Sequence, residues 1–397
     1  MYDLILRDAT ILSSSGRQVA DVAIEGGRIA YVGPRPPRST RMEISAIGKF
    51  LMPGVIDTAV QFDPNGDSGL WERESRAAVT GGVTTIVALP DGQNPVVCPE
   101  TAKYRAERAT GRSWCNFALW GCAERGLTRD LAEALHQKRI VGTLAEIRDE
   151  QPPSPERLIE LLALRGVFGV RLTYQDRTGP GIGQLVDAAR ERDKHVHLVH
   201  LSTAEELLVL DPVRGHAPVT AGVTPHHLFL SEDTTQPLIR TIPPVRPEMD
   251  RRTLWTAMKR GRLDCVASDH HPTPLDTEDG GVPGAELLFP LMLSAVKYGR
   301  LSLEMLVSLC SEAPARIFGL DRKGQISRGA DADLVLFSEG ELTKVDDHLL
   351  LSSAGWSPYA ERETAPKPDL VIVGGCITAQ HGKLVGETPN GVHVLDN

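Results

Sequence analysis

Histidine and aspartate side chains gather at points of this 397-residue chain where runs typical of β-strands come to an end. They are, in chain order, His195, His197, His200, His226, His227, Asp269, His270 and His271. Imidazole and carboxylate groups both bind divalent zinc, and zinc brings the pKa of a bound water to about 7. The pattern therefore fits a divalent metal site. Paired histidines also brace loops through hydrogen bonds, so the spacing alone leaves both interpretations open.

The elements that must position these residues alternate along residues 53–327. Strand-like runs cover Thr84–Leu89, Val167–Thr173, His195–Leu201 and Cys265–Ser268, with helix-like runs between them. Alternation of this kind predicts parallel strands joined by crossover helices. The length suits a barrel of eight strands, about 250 residues, in which active residues follow the carboxyl ends of the strands. An open doubly wound sheet is the alternative, but no G-x-G-x-x-G motif opens a helix.

Both ends of the chain are rich in short strand-like runs, whereas the middle is not. Arg28–Gly33 near the N-terminus and Leu370–Val373 near the C-terminus are examples. The simplest arrangement is one small β domain built from both termini. We therefore predict an α/β fold, with a TIM-like (β/α)8 barrel over 53–327 and a small β-sandwich domain formed by 1–52 plus 328–397.

Composition excludes several classes of partner and compartment. The formal net charge is −9 and no cluster of lysines and arginines stands out, so we expect no nucleic acid as the main partner. No apolar run approaches the roughly 20 residues of a membrane span, and the N-terminus does not resemble a signal peptide. Six scattered cysteines without a C-x-x-C pair are typical of reduced thiols. We expect a cytoplasmic protein.

Several short motifs, in order along nearly the whole chain, resemble those of dihydroorotase and its relatives allantoinase and dihydropyrimidinase, the cyclic amidohydrolases of the amidohydrolase superfamily. The motifs are Pro53-Gly54-Val55-Ile56-Asp57, Gly81-Gly82-Val83-Thr84-Thr85, His200-Leu201-Ser202-Thr203, Thr224-Pro225-His226-His227-Leu228, Ser268-Asp269-His270, Pro314-Ala315-Arg316-Ile317-Phe318-Gly319-Leu320 and Gly329-Ala330-Asp331-Ala332-Asp333-Leu334. The resemblance implies the barrel fold. It also implies one or two zinc ions whose bound hydroxide opens a cyclic amide.

The zinc ligands that the resemblance implies are mostly replaced. Members of the group hold zinc with a His-x-His pair, a bridging carbamylated lysine, two further histidines and an aspartate. The pair falls on Ala59 and Gln61, and the bridging lysine is predicted to fall on Arg171. A guanidinium stays protonated in proteins, so it cannot ligate a dication and repels one. The segment with the next ligand, a histidine followed by acidic residues, is predicted to be deleted.

Two ligand positions match, and the positions that bind substrate differ. His200 and Asp269 fit the remaining ligands, and Asp57 supports them. In the group, the residue at Asp269 is also the general base, which we expect to be idle here. Asp63 stands where members that bind dihydroorotate carry an arginine. The negative charge of Asp63 would repel a carboxylate substrate. Asp91 stands where an asparagine is expected.

The predicted pocket has three further members. Ile242 replaces an asparagine expected before Pro243-Pro244, and His270 and His271 follow the general-base position. The losses at metal positions and at substrate positions agree. We therefore expect no bound zinc, or at most one weakly bound ion.

His195 and His197 form a second His-x-His pair, whose members share one face of a strand and could bind one ion. His200 has the opposite parity. If His200 points into the barrel, Val196 and Leu198 point inward too, and the pair faces the surrounding helices. We therefore predict that His195 and His197 have a structural role.

Three functional hypotheses follow from these patterns. The first is a dihydroorotase-like pseudoenzyme in pyrimidine biosynthesis, which forms a homo-oligomer and accompanies aspartate transcarbamoylase as a structural partner. In this hypothesis Arg171 replaces the metal charge and pairs with Asp269 or Asp57. The second is an active cyclic amidohydrolase with a reduced or rebuilt site. The third is a binding module that holds a small acid against Arg171.

Overall fold

The computed structural model describes residues 1–62, 66–90, 92–147, 155–172, 182–210, 218–235, 239–275 and 280–396. Its first five strands precede the barrel. They are β1 (Tyr2–Ser13), β2 (Gly16–Glu25), β3 (Arg28–Gly33), β4 (Thr40–Ser45) and β5 (Phe50–Pro53). Gly26 and Gly27 turn β2 into β3 with positive φ angles of 57° and 78°, a conformation that glycine adopts without steric cost.

Eight parallel strands then form one sheet in chain order. They are β6 (Val55–Val60), β7 (Val83–Ala88), β8 (Asn116–Cys122), β9 (Gly142–Ile147), β10 (Val167–Leu172), β11 (Val196–Leu198), β12 (Val219–Val223) and β13 (Cys265–Val266). Every residue of β7 is buried, as is typical of parallel strands covered on both faces. A parallel bridge between Val60 and His270 joins the two ends of the sheet. The predicted barrel is thus confirmed.

The described residues contain eleven α-helices. They are α1 (Gly69–Thr80), α2 (Pro99–Ala109), α3 (Thr128–His136), α4 (Pro155–Leu162), α5 (Ile182–Glu191), α6 (Ala204–Leu210), α7 (Pro225–Phe229), α8 (Glu248–Lys259), α9 (Leu288–Lys297), α10 (Leu303–Val307) and α11 (Ala313–Ile317). A π-helical turn, Ser308–Glu312, joins the last two, where Pro314 has no amide hydrogen to continue a regular α-helix. No helix of the described residues is both long and apolar enough to cross a membrane.

The lower half of the barrel is filled by side chains. Trp120 is fully buried there, its Nε1 donates a hydrogen bond to the Thr58 carbonyl at 3.2 Å, and its ring packs edge-on against Phe318. Gly169 on β10 must lack a side chain, because a Cβ would lie 2.6 Å from the Trp120 ring. This packing closes the amino end of the barrel and leaves the carboxyl ends of the strands as the place for a site.

The chain ends in strands that join those of the N-terminus. They are β14 (Leu334–Phe337), β15 (Thr343–Lys344), β16 (Glu363–Thr364), β17 (Leu370–Val373), β18 (Cys376–Gln380) and β19 (Lys383–Leu384). All but β15 and β16 form one nine-stranded sheet with β1 to β5, in which β14 pairs with β5. Both termini therefore contribute to the second sheet, as predicted. The domain limits 1–52 plus 328–397 and 53–327 stay a prediction.

A buried charged cluster fastens the second sheet to the barrel. Lys323 Nζ lies 2.5 Å from Asp333 Oδ2 and 3.2 Å from Asp331 Oδ2, and only 6% of the lysine side chain is exposed. Asn116, at the start of β8, donates to the Asp333 carboxylate at 3.0 Å, and the Gly374 amide donates to it at 2.7 Å. The Asp331 and Asp333 motif thus joins both parts of the fold.

Candidate functional site

The candidate site lies where barrel strands end. Ala59 lies near the end of β6 and Gln61 directly follows it. Arg171 lies near the end of β10, His200 follows β11 and Asp269 follows β13. Ala59 and His200 are fully buried, and Gln61 and Asp269 are 8% and 7% exposed. Because all barrel strands run in the same direction, these predicted residues come to the same end of the barrel.

Arg171 forms the centre of the group. Its Nη2 lies 3.2 Å from Asp269 Oδ1, and His200 Nε2 lies 3.2 Å from the same oxygen. On its other side, Arg171 Nη1 lies 3.5 Å from Glu146 Oε1, and only 12% of the Arg171 side chain is exposed. The sequence-based prediction that Arg171 meets Asp269 or Asp57 agrees with the first of these contacts.

The electrostatics of Asp269 are set by this arrangement. Burial alone would raise the pKa of its carboxyl, but the charge of Arg171 and the contact with His200 outweigh burial and hold that pKa well below its usual range. Asp269 is therefore ionised at all physiological pH values. Its negative charge is opposed within the protein by the permanent charge of Arg171.

The backbone at Asp269 has a φ of 49°, in the left-handed region that non-glycine residues rarely adopt. Its neighbours hold this conformation from both sides. Asp57, fully buried, accepts hydrogen bonds from the Ser268 amide at 2.9 Å and the Ser268 hydroxyl at 2.5 Å. His270 Nδ1 accepts from the Gly284 amide at 3.1 Å. Burial raises the pKa of Asp57 to about 6 although the Ser268 hydrogen bonds oppose that shift.

Glu146 is a site residue that sequence reasoning missed. It lies on β9 beside Arg171 on β10, and the two are direct partners in the register of the parallel pair. In the chain they are 25 positions apart, so no spacing pattern connects them. Three consecutive strands, β9, β10 and β11, thus bring Glu146, Arg171 and His200 to the site. β10 and β11 are direct neighbours in the sheet, and residues 173–181 between them lie outside the described residues, so the predicted deletion of a ligand segment stays a prediction.

The prediction that His195 and His197 face the surrounding helices is wrong for His197. His197 pairs with Gly169 in the sheet register and lies on the inner face, where its ring contacts Phe318. Val196 packs in the outer core instead. The parity argument fails because β11 ends at residue 198 and the chain bends before His200. Both histidines hydrogen-bond the Thr220 hydroxyl at 2.9 Å, which supports the structural role predicted for them.

His226 is a second residue that the predicted site did not include. It is fully buried, and neither ring nitrogen has a hydrogen-bond partner among the described residues. Burial lowers its pKa to about 3, although the charge of Asp269 opposes that shift, so the imidazole is neutral. The neighbouring His227 is a loop brace, since its ring nitrogens lie 2.7 Å from the Thr224 hydroxyl and 3.2 Å from the Pro244 carbonyl.

Four predicted pocket residues remain, Ile242, His271, Asp63 and Asp91. Ile242 is 44% exposed. The half-buried His271 donates its amide to the Val282 carbonyl at 2.9 Å. Asp63 and Asp91 lie outside the described residues. Among the described residues, no group of three or more His, Cys, Asp or Glu side chains is arranged to hold a metal ion.

His270 connects the site to a buried carboxylate. Its Nε2 lies 3.1 Å from Glu74 Oε2, and Glu74, on α1, is fully buried. Glu74 also accepts hydrogen bonds from the Ser352 hydroxyl at 2.8 Å and the Ser353 amide at 2.9 Å. Burial would raise the pKa of Glu74, but His270 and Ser353 outweigh it and lower that pKa to about 2.

We expect Glu74→Gln to lower the free energy of unfolding at pH 7 by about 1–3 kcal/mol, because buried donors lose an ionised acceptor. Since the pKa of Glu74 is lowered from 4.5 to about 2 on folding, its stabilisation is present above pH 4.5. It is lost as the pH falls towards 2. In urea unfolding, the free energy of unfolding should fall less between pH 7 and pH 3 for the variant than for the unchanged protein. Glu107→Gln, at an exposed position, is the control. If the free energy of unfolding of Glu74→Gln falls between pH 7 and pH 3 as much as that of the unchanged protein, the assignment is contradicted.

Comparison with known proteins agrees with this architecture. The model of the amidohydrolase family matches residues 50–378. The chain is 27% identical to a dihydroorotase from Pyrococcus furiosus over 388 residues, which cover 94% of this chain and 92% of the relative. It is 30% identical to a dihydroorotase from Methanosarcina mazei, with 90% of each chain covered. The solved L-hydantoinase from Arthrobacter aurescens superimposes with a TM-score of 0.89 at 25% identity, over 98% of this chain and 99% of that one.

Proposed function

Because this chain belongs to the amidohydrolase family, we propose that it is a dihydroorotase-like member that carries an internal cation in place of zinc and does not hydrolyse cyclic amides. The observation that carries the proposal is the 3.2 Å contact between Arg171 Nη2 and Asp269 Oδ1. A guanidinium cannot ligate a metal ion, and its charge repels one. It does supply the positive charge that a buried carboxylate requires.

The donor set does not fit zinc in this proposal. Ala59 has no donor atom, and Gln61 offers only a neutral amide. The chain order of ligands in the group is pair, bridging lysine, two histidines and aspartate. Since Glu146 precedes Arg171, we assign Glu146 to the bridging position and Arg171 to the position of the following histidine. This assignment replaces the one made from sequence, and it puts the cation between two carboxylates.

The role that remains for such a barrel is structural. We propose that the protein forms a homo-oligomer in the cytoplasm and accompanies aspartate transcarbamoylase in pyrimidine biosynthesis. The support is the resemblance to inactive dihydroorotase-like partners of that enzyme. Co-purification of the tagged chain with aspartate transcarbamoylase from its own cells tests this part. Recovery of the chain without any transcarbamoylase activity would count against it.

We expect no turnover of dihydroorotate, hydantoin, dihydrouracil or allantoin, with or without added zinc. The physical reason is that Arg171 neutralises the carboxylate that would act as general base. The assay is ring opening followed by ultraviolet absorbance, with the Pyrococcus furiosus dihydroorotase as a positive control. Turnover that Asp269→Asn abolishes, in a variant shown by circular dichroism to be folded, would contradict the proposal.

An active cyclic amidohydrolase with a rebuilt site is the second candidate. It is favoured by Glu146, a carboxylate in the site, and by His226, whose buried ring nitrogens have no partner among the described residues. Such groups could act as acid and base without a full metal site. The same assay separates the two functions, since turnover lost in both Glu146→Gln and Asp269→Asn would support this candidate.

A further inference from the structure

A cleft of about 760 Å³ lies beside the barrel mouth, between the chain after α7 and the C-terminal segment 356–363. Its apolar lining includes Phe229, Leu275, Trp356 and Tyr359. Trp356 is anchored by a hydrogen bond from its Nε1 to the Thr273 carbonyl at 2.8 Å. The volume and the aromatic walls are typical of a site for a small molecule.

Two half-buried arginines line this cleft without a carboxylate partner among the described residues. Arg362 donates to the Phe229 carbonyl at 2.7 Å, and the guanidinium of Arg300 lies 5.1 Å from the ring centre of Trp255. Burial lowers the pKa of both arginines, and the charge of nearby Arg251 lowers both further. Uncompensated positive charge of this kind favours an anion.

Among the described residues, no acidic side chain of the cleft forms an ion pair with these arginines. Glu361 pairs with Lys344 at 2.9 Å, and Glu363 accepts a hydrogen bond from the Tyr298 hydroxyl at 2.9 Å. Burial raises the pKa of the Asp347 carboxyl, whose Oδ1 has no hydrogen-bond partner among the described residues. The arginines therefore remain the groups available to a ligand.

Tyr359 gives an independent reason to expect a ligand. Its side chain is 1% exposed, and its hydroxyl has no hydrogen-bond partner among the described residues. A buried hydroxyl without a partner has lost its hydrogen bonds to water without replacement, so such groups are rare unless something else satisfies them. Thr235, also on the cleft wall, has a second buried hydroxyl of this kind.

We propose that this cleft binds a small organic anion with a flat apolar body. The anionic group lies against Arg300 and Arg362, and the body packs between Trp356 and Phe229. The Tyr359 hydroxyl hydrogen-bonds the ligand. This site uses none of the side chains of the Arg171 group, so it does not depend on whether the barrel hydrolyses anything.

Isothermal titration calorimetry on the full chain tests the proposal with phenyl phosphate and benzoate as probes. Benzyl alcohol, which lacks the charge, and inorganic phosphate, which lacks the body, are the comparison ligands. At least one aromatic anion should bind ten times more tightly than either. If neither does, the proposal is overturned.

Matched variants locate the binding. Arg300→Gln should weaken the binding of the aromatic anion tenfold or more, since hydrogen bonds to charged groups are stronger than those between neutral groups. Tyr359→Phe removes only a hydroxyl without a protein partner, so it should weaken binding two- to tenfold without lowering the thermal midpoint. The exposed Arg129→Gln and the barrel variant Glu146→Gln should leave affinity unchanged. Affinity that neither Arg300→Gln nor Tyr359→Phe alters would overturn the proposal.

Discussion

Replacing Arg171 with methionine is expected to lower the free energy of unfolding by about 3 kcal/mol or more. The change leaves two carboxylates, on Asp269 and Glu146, without the cation that lies between them. Removing one partner of a buried ion pair costs about 3–5 kcal/mol, because the other charge stays buried and unpaired. Urea unfolding at pH 7 measures the loss. Arg171→Lys keeps the charge and should lose much less.

The double variant Arg171→Met with Asp269→Asn provides the decisive comparison. If the loss comes from an unpaired charge, removing the Asp269 charge as well should recover much of the stability. The pH dependence gives a second readout. Since the pKa of Asp269 is lowered in the folded chain, its stabilisation is present above about pH 4 and lost as the pH falls. In Arg171→Met, the free energy of unfolding should no longer show this dependence on pH. A double variant no more stable than Arg171→Met would contradict the pairing.

Lys323→Met is expected to cost a similar amount, about 3 kcal/mol, at the junction between the barrel and the terminal sheet. Asp333 would remain buried with only its neutral donors, Asn116 and Gly374. Burial lowers the pKa of Lys323, but Asp333 and Asp331 outweigh it and raise that pKa. The stabilisation is therefore present below the usual lysine pKa of about 10.4 and is lost only at higher pH.

Urea unfolding at pH 7 checks this loss against a matched surface pair. Lys103→Met removes a lysine that is 65% exposed and lies 3.8 Å from Glu107, so it should cost less than about 1 kcal/mol. Lys323→Met combined with Asp333→Asn should recover part of the stability. Equal losses for Lys323→Met and Lys103→Met would show that the buried cluster does not fasten the two parts together.

The barrel could be predicted from the sequence because parallel strands buried on both faces consist mostly of apolar and β-branched residues. Residues 83–88 on β7 are an example, since four of the six are apolar, the other two are the β-branched Thr84 and Thr85, and every residue there is buried. It could also place Arg171, His200 and Asp269 together, because the carboxyl ends of barrel strands meet at one end. This grouping follows from the barrel topology alone and does not depend on the details of any single strand.

The rest of the site depended on local geometry that no pattern in the sequence shows. The inward position of His197 follows from the early end of β11, since strand parity holds only while the backbone stays extended. Glu146 meets Arg171 through the register of two neighbouring strands rather than through spacing in the chain. The left-handed backbone of Asp269 is held by Ser268 and His270, whose partners lie on distant elements.

Zinc content tests the central claim most directly. The full chain is purified from cells grown with added zinc, passed over a desalting column and measured by inductively coupled plasma mass spectrometry. The dihydroorotase of Pyrococcus furiosus is treated in parallel as the reference. With Arg171 lying 3.2 Å from Asp269, we predict well below one zinc ion per chain. One or more tightly bound zinc ions per chain, lost together with hydrolytic activity on chelation, would contradict the claim that Arg171 replaces the metal.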